Sequence, residues 1–292
     1  MTDGGPLRLT DRFAWGRQTY VMGILNVTPD SFSQDGLLAE PDFVAAALAR
    51  GLDFVADGAH VLDVGGESTR PGAEAVPAAE ELRRVLPVIE ALAAETEVVI
   101  SIDTSKAEVA AAALDAGAAM VNDVRGLRLD PELAPLVALR QVPVVLVHNR
   151  SRPRDAAAGA RLGGRYVGTR YHDLIEDVAR ELQALATDAQ AAGIAADQII
   201  LDPGIGFGKT VAQSLGLLDR LDRFKALGYP LLIGPSRKSF IGYTLDLPAD
   251  ERIEGTAAAV AIGIARGADM VRVHDVRQMA RVARMADAIL RR

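Results

Sequence analysis

Short runs of aliphatic and β-branched residues recur along the chain, and between them Ala and Leu repeat at helical spacing. Eight runs have the length and composition of strands: 20–26, 60–64, 98–103, 120–124, 144–148, 198–202, 231–236 and 270–274. The spacing predicts helices at, among others, 42–56, 77–94, 106–116, 171–192, 211–227, 255–266 and 278–291. Gly58, Gly117 and Gly267 each precede an alanine directly ahead of a strand, the chemistry of a C-cap glycine in a helix-to-strand turn. A strand–helix unit repeated eight times within about 250 residues predicts an α/β fold of the (β/α)8 TIM barrel type. An open doubly wound sheet would gather its functional groups at one switch point. Here polar residues stand at the C-terminal end of every run, so the closed barrel is preferred. Residues 7–18, with the polar pair Asp11-Arg12 at their middle, predict a short N-terminal β-hairpin covering one end of the sheet. No linker or shift in composition divides the chain, so 1–292 is expected to be a single barrel domain. Residues 150–169, rich in Arg and Gly, are expected to form a long mobile surface loop.

Composition narrows the function classes. No apolar run is long enough to span a bilayer, and the first ten residues lack a basic start followed by an apolar core, so a soluble, cytoplasmic protein without a membrane partner is expected. A net charge of −7 argues against a nucleic-acid partner. With no cysteine there is no disulfide, thiol nucleophile or thiolate metal site, and the four histidines show no zinc-ligand spacing.

The stretch Leu201 to Thr210, LDPGIGFGKT, sits between a strand and a helix, where phosphate-cradling loops sit. Neither standard phosphate motif fits it. A P-loop needs a glycine where Pro203 stands, and a dinucleotide fingerprint needs one where Lys209 stands. Asp202 at the strand end is therefore the candidate chemical group, with the glycines shaping the loop around it. In a barrel the strand ends converge on one mouth. Asp103, Asn122 and Asp202 suit a flat heterocycle with a donor and acceptor edge. Arg70, Lys238, Arg272 and His274 suit a phosphate-type anion, and Asn26 could give an oxygen to a magnesium ion on that anion. Asp63, Glu67, His60 and His172 are expected to be structural. Asp123 is read as a binder of backbone turns. His148 is balanced between packing and function, and Lys209 and Arg237 are read as solvated charges. No activated nucleophile is evident, so electrophile activation is favoured over covalent catalysis.

Seven stretches in order, GILNVTPDSFS, DVGGESTRPGA, SIDT, VNDV, LDPGIGFGK, GPSRKSF and VRVHDV, make the whole chain resemble the dihydropteroate synthases, pterin-binding enzymes of folate synthesis. The resemblance implies a (β/α)8 barrel that condenses (7,8-dihydropterin-6-yl)methyl diphosphate with 4-aminobenzoate to 7,8-dihydropteroate and diphosphate. It places Asp103, Asn122, Asp202 and Lys238 on the pterin. Arg70, Arg272 and His274 fall on the diphosphate with Thr69 beside them, and Asn26 on Mg2+. It puts Ser236 on the aminobenzoate carboxylate, and Phe207 and Pro71 along the second ring. Asp103, Lys238, Arg272 and His274 are then the catalytic set. The mechanism implied is SN1-like departure of diphosphate, with the loops 27–36 and 68–75 closing over the substrates. A homodimer is implied as well. Two departures stand out: Val147-His148-Asn149-Arg150-Ser151 where the family commonly has Met-His-x-x-Gly, and Ser214 where an Asn is common. The rival readings are a pterin-barrel methyltransferase serving a corrinoid protein, and a non-catalytic pterin-binding paralogue.

Overall fold

The computed structural model describes residues 12–28, 36–39, 42–69, 75–152, 155–157, 159, 161–167 and 170–291. Eight parallel strands form one sheet: β1 (Tyr20–Asn26), β2 (Val61–Gly65), β3 (Val99–Asp103), β4 (Met120–Asp123), β5 (Val144–Val147), β8 (Ile199–Asp202), β9 (Leu232–Ile233) and β10 (Met270–Val273). Each pairs with its neighbour in chain order, β1 pairs with β10, and a parallel bridge between Leu201 and Leu231 closes β8 onto β9. Helices follow the strands, among them Phe43–Ala56, Ala78–Glu95, Ala107–Asp115, Leu133–Arg140, Leu174–Ala191, Ile253–Ala265 and Val276–Leu290. All eight expected runs are strands, which makes the fold the expected (β/α)8 barrel. The seventh shrinks to two residues, because Gly234 and Pro235 follow Ile233. The expected helix over 211–227 is two pieces, Val211–Asp219 and Asp222–Lys225, and the second brings Lys225 Nζ to Asp269 Oδ2 at 2.7 Å.

The strands are buried on both faces, as a barrel wrapped by helices requires. Val21, Leu62, Ile100, Val121, Leu146, Leu201, Ile233 and Val271 face outward into the layer shared with the helices. Met22, Val61, Val99, Met120, Val145, Ile200, Leu232 and Met270 face inward and fill the lower lumen. Phe13 and Trp15 stack beneath them, and Tyr20 meets Phe13 edge-on with centroids 4.8 Å apart. At the same end His60 accepts a hydrogen bond from the Val21 N–H at 3.1 Å through Nδ1, a structural role as expected. The inward alternation puts Asn26, Asp63, Asp103, Asn122, Asp202 and Arg272 above this apolar plug.

Residues 7–11 of the expected N-terminal hairpin lie outside the described residues, and 12–18 hold no strand. A small antiparallel pair occurs instead within the loop after β5, β6 (Ala156–Ala157) with β7 (Arg165–Tyr166). Gly58, Gly117 and Gly267 all have φ above +100°, as their C-cap positions demand.

Backbone pairing is thinnest at the β8–β9 seam, where buried Asp269 accepts from the Leu231 N–H at 2.9 Å. Asp269→Ala removes that acceptor and the partner of Lys225. It is expected to cost about 1–3 kcal/mol, read as a lower urea midpoint at unchanged slope.

Candidate active site at the barrel mouth

Arg272 lies two residues beyond inward-facing Met270 on β10, so its side chain enters the lumen. Its Nε donates to Asp63 Oδ2 at 2.5 Å and its Nη2 to Asp103 Oδ2 at 2.6 Å. Asp63 on β2 is fully buried, and the same Oδ2 accepts from Asn122 Nδ2 at 3.0 Å. Asp103 is opposite Asn122 across β3 and β4, and opposite Gly65 across β3 and β2. A Cβ on Gly65 would stand 3.4 Å from that of Asp103, so the glycine keeps space beside the carboxylate. Two expected site residues, Asn122 and Arg272, thus converge on Asp63, expected to be structural, and Arg272 links it to Asp103.

Asp202 ends β8 and accepts from the Gly204 N–H at 2.7 Å. The loop that follows runs hard against the backbone leaving β5. Gly204 has φ +70°, and a Cβ there would meet the His148 carbonyl oxygen at 1.9 Å. At Gly208, φ +61°, a Cβ would meet Arg150 and Ser151 backbone atoms at 2.5 Å. This threading carries Phe207 against the lumen cluster, with Lys238 Nζ 4.3 Å from its ring centroid. Lys238 also donates to the Ile205 carbonyl.

Lys209 is not a solvated charge. It is 2% exposed; its Nζ lies 3.0 Å from His148 Nδ1 and donates to the carbonyls of Phe207 and His148 at 3.0 and 3.3 Å. Burial lowers His148 to about 4, so the ring is neutral, accepting at Nδ1 and donating at Nε2 to Glu181 Oε2, 3.0 Å away. The helix after Lys209 caps itself: Thr210 Oγ1 accepts from the Gln213 N–H at 3.2 Å, and Gln213 Oε1 from the Thr210 N–H at 2.9 Å. That capping box occupies the helix end an anion would use, and the motif is no phosphate cradle.

Ser236 is buried, its Oγ accepting from the His274 N–H at 3.2 Å and lying 3.0 Å from His274 Nδ1. Asn26 ends β1 half-buried, in register with Gly65, and Thr69 is exposed. Arg70 and Pro71 lie outside the described residues, as does most of both expected closing loops. Asp123 faces outward and accepts from the Arg125 and Leu127 N–H groups at 2.8 and 2.5 Å, the turn-binding role expected of it. Glu67 pairs with Lys106, and His172 is exposed ahead of its helix rather than on it. Arg237 is tied to Asp275, Nη2 to Oδ1 at 2.5 Å. At the departure after β5, Val147 faces the lumen and keeps it apolar. Asn149 turns away, donating to the Val124 carbonyl and accepting from the Ser151 N–H, each at 2.8 Å.

Burial dominates the electrostatics. It pushes Asp103 and Asp202 above the usual carboxylate range, with Arg272 pulling Asp103 back and Lys238 pulling Asp202 back. The same burial lowers Lys238 to about 8 against the attraction of Asp202. Among the described residues no three His, Asp or Glu side chains gather as a metal site. A cavity of about 380 Å3 beside His60 and Phe13 opens at the opposite end of the barrel and gathers none of these groups.

Carboxylates, an amide, a lysine and an arginine gathered at the strand ends of a closed (β/α)8 barrel are the arrangement of a barrel enzyme's active site. The comparisons make that class specific. Residues 22–274 match the pterin binding enzyme family. The dihydropteroate synthase of Bacillus subtilis is 48% identical over 95% of this chain and 90% of its own length. A Clostridium difficile dihydropteroate synthase solved in the presence of pteroic acid superposes with a TM-score of 0.86 at 44% identity, covering 96% of this chain and all of that one. The Xanthomonas albilineans enzyme with 4-aminobenzoic acid gives 0.84 at 43%, covering 94% of each chain. The chain belongs to the dihydropteroate synthase family, the pterin-binding transferases of folate biosynthesis.

Gly204→Ala adds a side chain at positive φ and drives it into a backbone carbonyl. The conformational part alone is worth about 1–3 kcal/mol. The variant is expected to lose at least that much in urea denaturation and to bind pterin poorly.

Proposed function

We propose that the mouth seats the pterin ring of (7,8-dihydropterin-6-yl)methyl diphosphate on Asp103, Asn122, Asp202 and Lys238. The 4-aminobenzoate nitrogen then attacks the exocyclic methylene. The carbon–oxygen bond to diphosphate breaks, the carbon–nitrogen bond forms, and the amine proton leaves to solvent. One observation carries the reading: acceptor oxygens and two cations share one buried layer, which suits a neutral ring with an N–H edge rather than a bare anion. Asp103 faces the positive charge that develops as the leaving group departs. Arg272 and His274, with Arg70 and Thr69, bind the diphosphate. Phe207 and Pro71 wall the arylamine, and Ser236 receives its carboxylate beside His274. Asn26, which would offer one amide oxygen, fits a Mg2+ that keeps waters and rides on substrate phosphates. That ion, when bound, supplies further neutralisation of the departing diphosphate.

A single-domain homodimer belongs to the same proposal, with exposed Ile262, Met285 and Ile289 on the last two helices as apolar surface for it. No helix among the described residues is long and apolar enough to cross a membrane, in keeping with a cytoplasmic enzyme.

Purified protein given both substrates and Mg2+ is expected to release diphosphate only when 4-aminobenzoate is present. Methyl transfer to a corrinoid protein, or pterin binding without turnover, would replace this reading by one of its rivals. Asp103→Asn should lower kcat/KM by about 10²-fold or more with the melting temperature nearly unchanged; parallel losses of both would make Asp103 structural.

The pH dependence follows from Lys238, charged below about 8 and neutral above it. Pterin affinity in calorimetry should therefore decline as pH rises through about 8. Lys238→Met should bind weakly at pH 7 and show no such decline. The same decline in the variant would remove Lys238 from pterin binding.

A further inference from the structure

We propose that Asp63 is a positioning residue for pterin recognition: it locks the side-chain amide of Asn122 in one orientation and holds Arg272 against Asp103. The inference rests on the pterin reading above and adds to it the origin of the pattern the ring meets. Asp63 has no exposed surface, and in register it pairs with Ser101, one inward step below the Gly65–Asp103 pair. It therefore acts through its neighbours.

An asparagine amide is ambiguous by itself, since its oxygen and nitrogen ends have nearly the same shape and opposite hydrogen-bonding character. A carboxylate removes the ambiguity, because it only accepts. With Asn122 Nδ2 at 3.0 Å from Asp63 Oδ2, a flipped amide would set two acceptor oxygens against each other. Nδ2 is thus turned to Asp63, and Oδ1 is left buried without a hydrogen bond. A buried acceptor of this kind calls for a partner, and a ring N–H provides one. The oxygen that orients Asn122 also takes Arg272 Nε at 2.5 Å, which aims Nη2 at Asp103. One atom of Asp63 therefore sets the donor and acceptor sense of Asn122 and the pairing of Asp103 together. A mere counter-ion for Arg272 would have no need of the Asn122 contact.

The test is a double-mutant cycle on the affinity for (7,8-dihydropterin-6-yl)methyl diphosphate, measured by calorimetry on wild type, Asp63→Asn, Asn122→Ala and the double variant. Asp63→Asn should weaken binding by roughly tenfold or more, and by clearly less when Asn122 is already alanine. Full additivity of the two losses, or wild-type affinity in Asp63→Asn, overturns the proposal. Should Asp63→Asn fail to fold, the wild-type protein carries the test. The Asn122 side-chain NH2 resonances, assigned by their loss in Asn122→Ala, should exchange slowly with solvent, and rapid exchange overturns the proposal. The resonance test needs no ligand, so it stands apart from the pterin reading, which fails if the wild type does not bind the substrate.

Discussion

Taking a guanidinium out of water costs several kcal/mol unless its N–H groups and charge are matched, and inside this barrel Arg272 is matched by two carboxylates at once. The match is incomplete in the other direction. Within the lumen Asp63, Asp103 and Asp202 face two cations, Arg272 and Lys238, the buried Lys209 being turned to the His148 ring and backbone carbonyls. Burial accordingly raises Asp103 and Asp202 and lowers Lys238. A ring that brings N–H donors supplies what this layer lacks and strengthens the ionised form of both carboxylates. In the proposed function, binding and electrostatic relief are then the same event, in a layer where water competes poorly.

The site sits where the sheet is least regular. β9 has two residues and meets β8 through one bridge, so backbone pairing cannot hold the seam unaided. Side chains take over: Asp269 and Lys225 tie its lower end, while Lys238 reaches across to the Ile205 carbonyl at the mouth. The glycines after Asp202 contribute by letting the loop lie against β5, where His148 and Lys209 clamp it. Lys238, which the proposed function places on the pterin, therefore also helps to close the barrel.

The strands and the barrel were legible because each strand is buried on both faces and most helix-to-strand turns carry a glycine, among them Gly58, Gly117 and Gly267. Asp103, Asn122 and Asp202 were legible because they end apolar runs. Asp63 was not, although a signal existed. It lies two residues before Gly65, which pairs with Asp103, so strand parity puts it on the inward face. Using that signal requires the register between β2 and β3, and register is a property of the folded sheet. Arg70 and Pro71 lie outside the described residues, and for them only the resemblance speaks.

The two lysines of the mouth show why residue type alone misleads. Lys209 is buried and Lys238 half-buried, and burial lowers both, yet they do opposite things. An ammonium has three N–H groups. Those of Lys209 are turned to the His148 ring, the His148 carbonyl and the Phe207 carbonyl, so it serves as a strut whatever enters the mouth. Lys238 gives one to Ile205 and rests on the Phe207 ring, which leaves N–H groups for a ligand beside Asp202. A glycine pair sets the difference: by pulling the loop onto β5, Gly204 and Gly208 bring Lys209 inward behind Phe207 and leave the ring's open face to Lys238. The motif that resembles a phosphate loop in sequence works by spending its lysine on its own backbone.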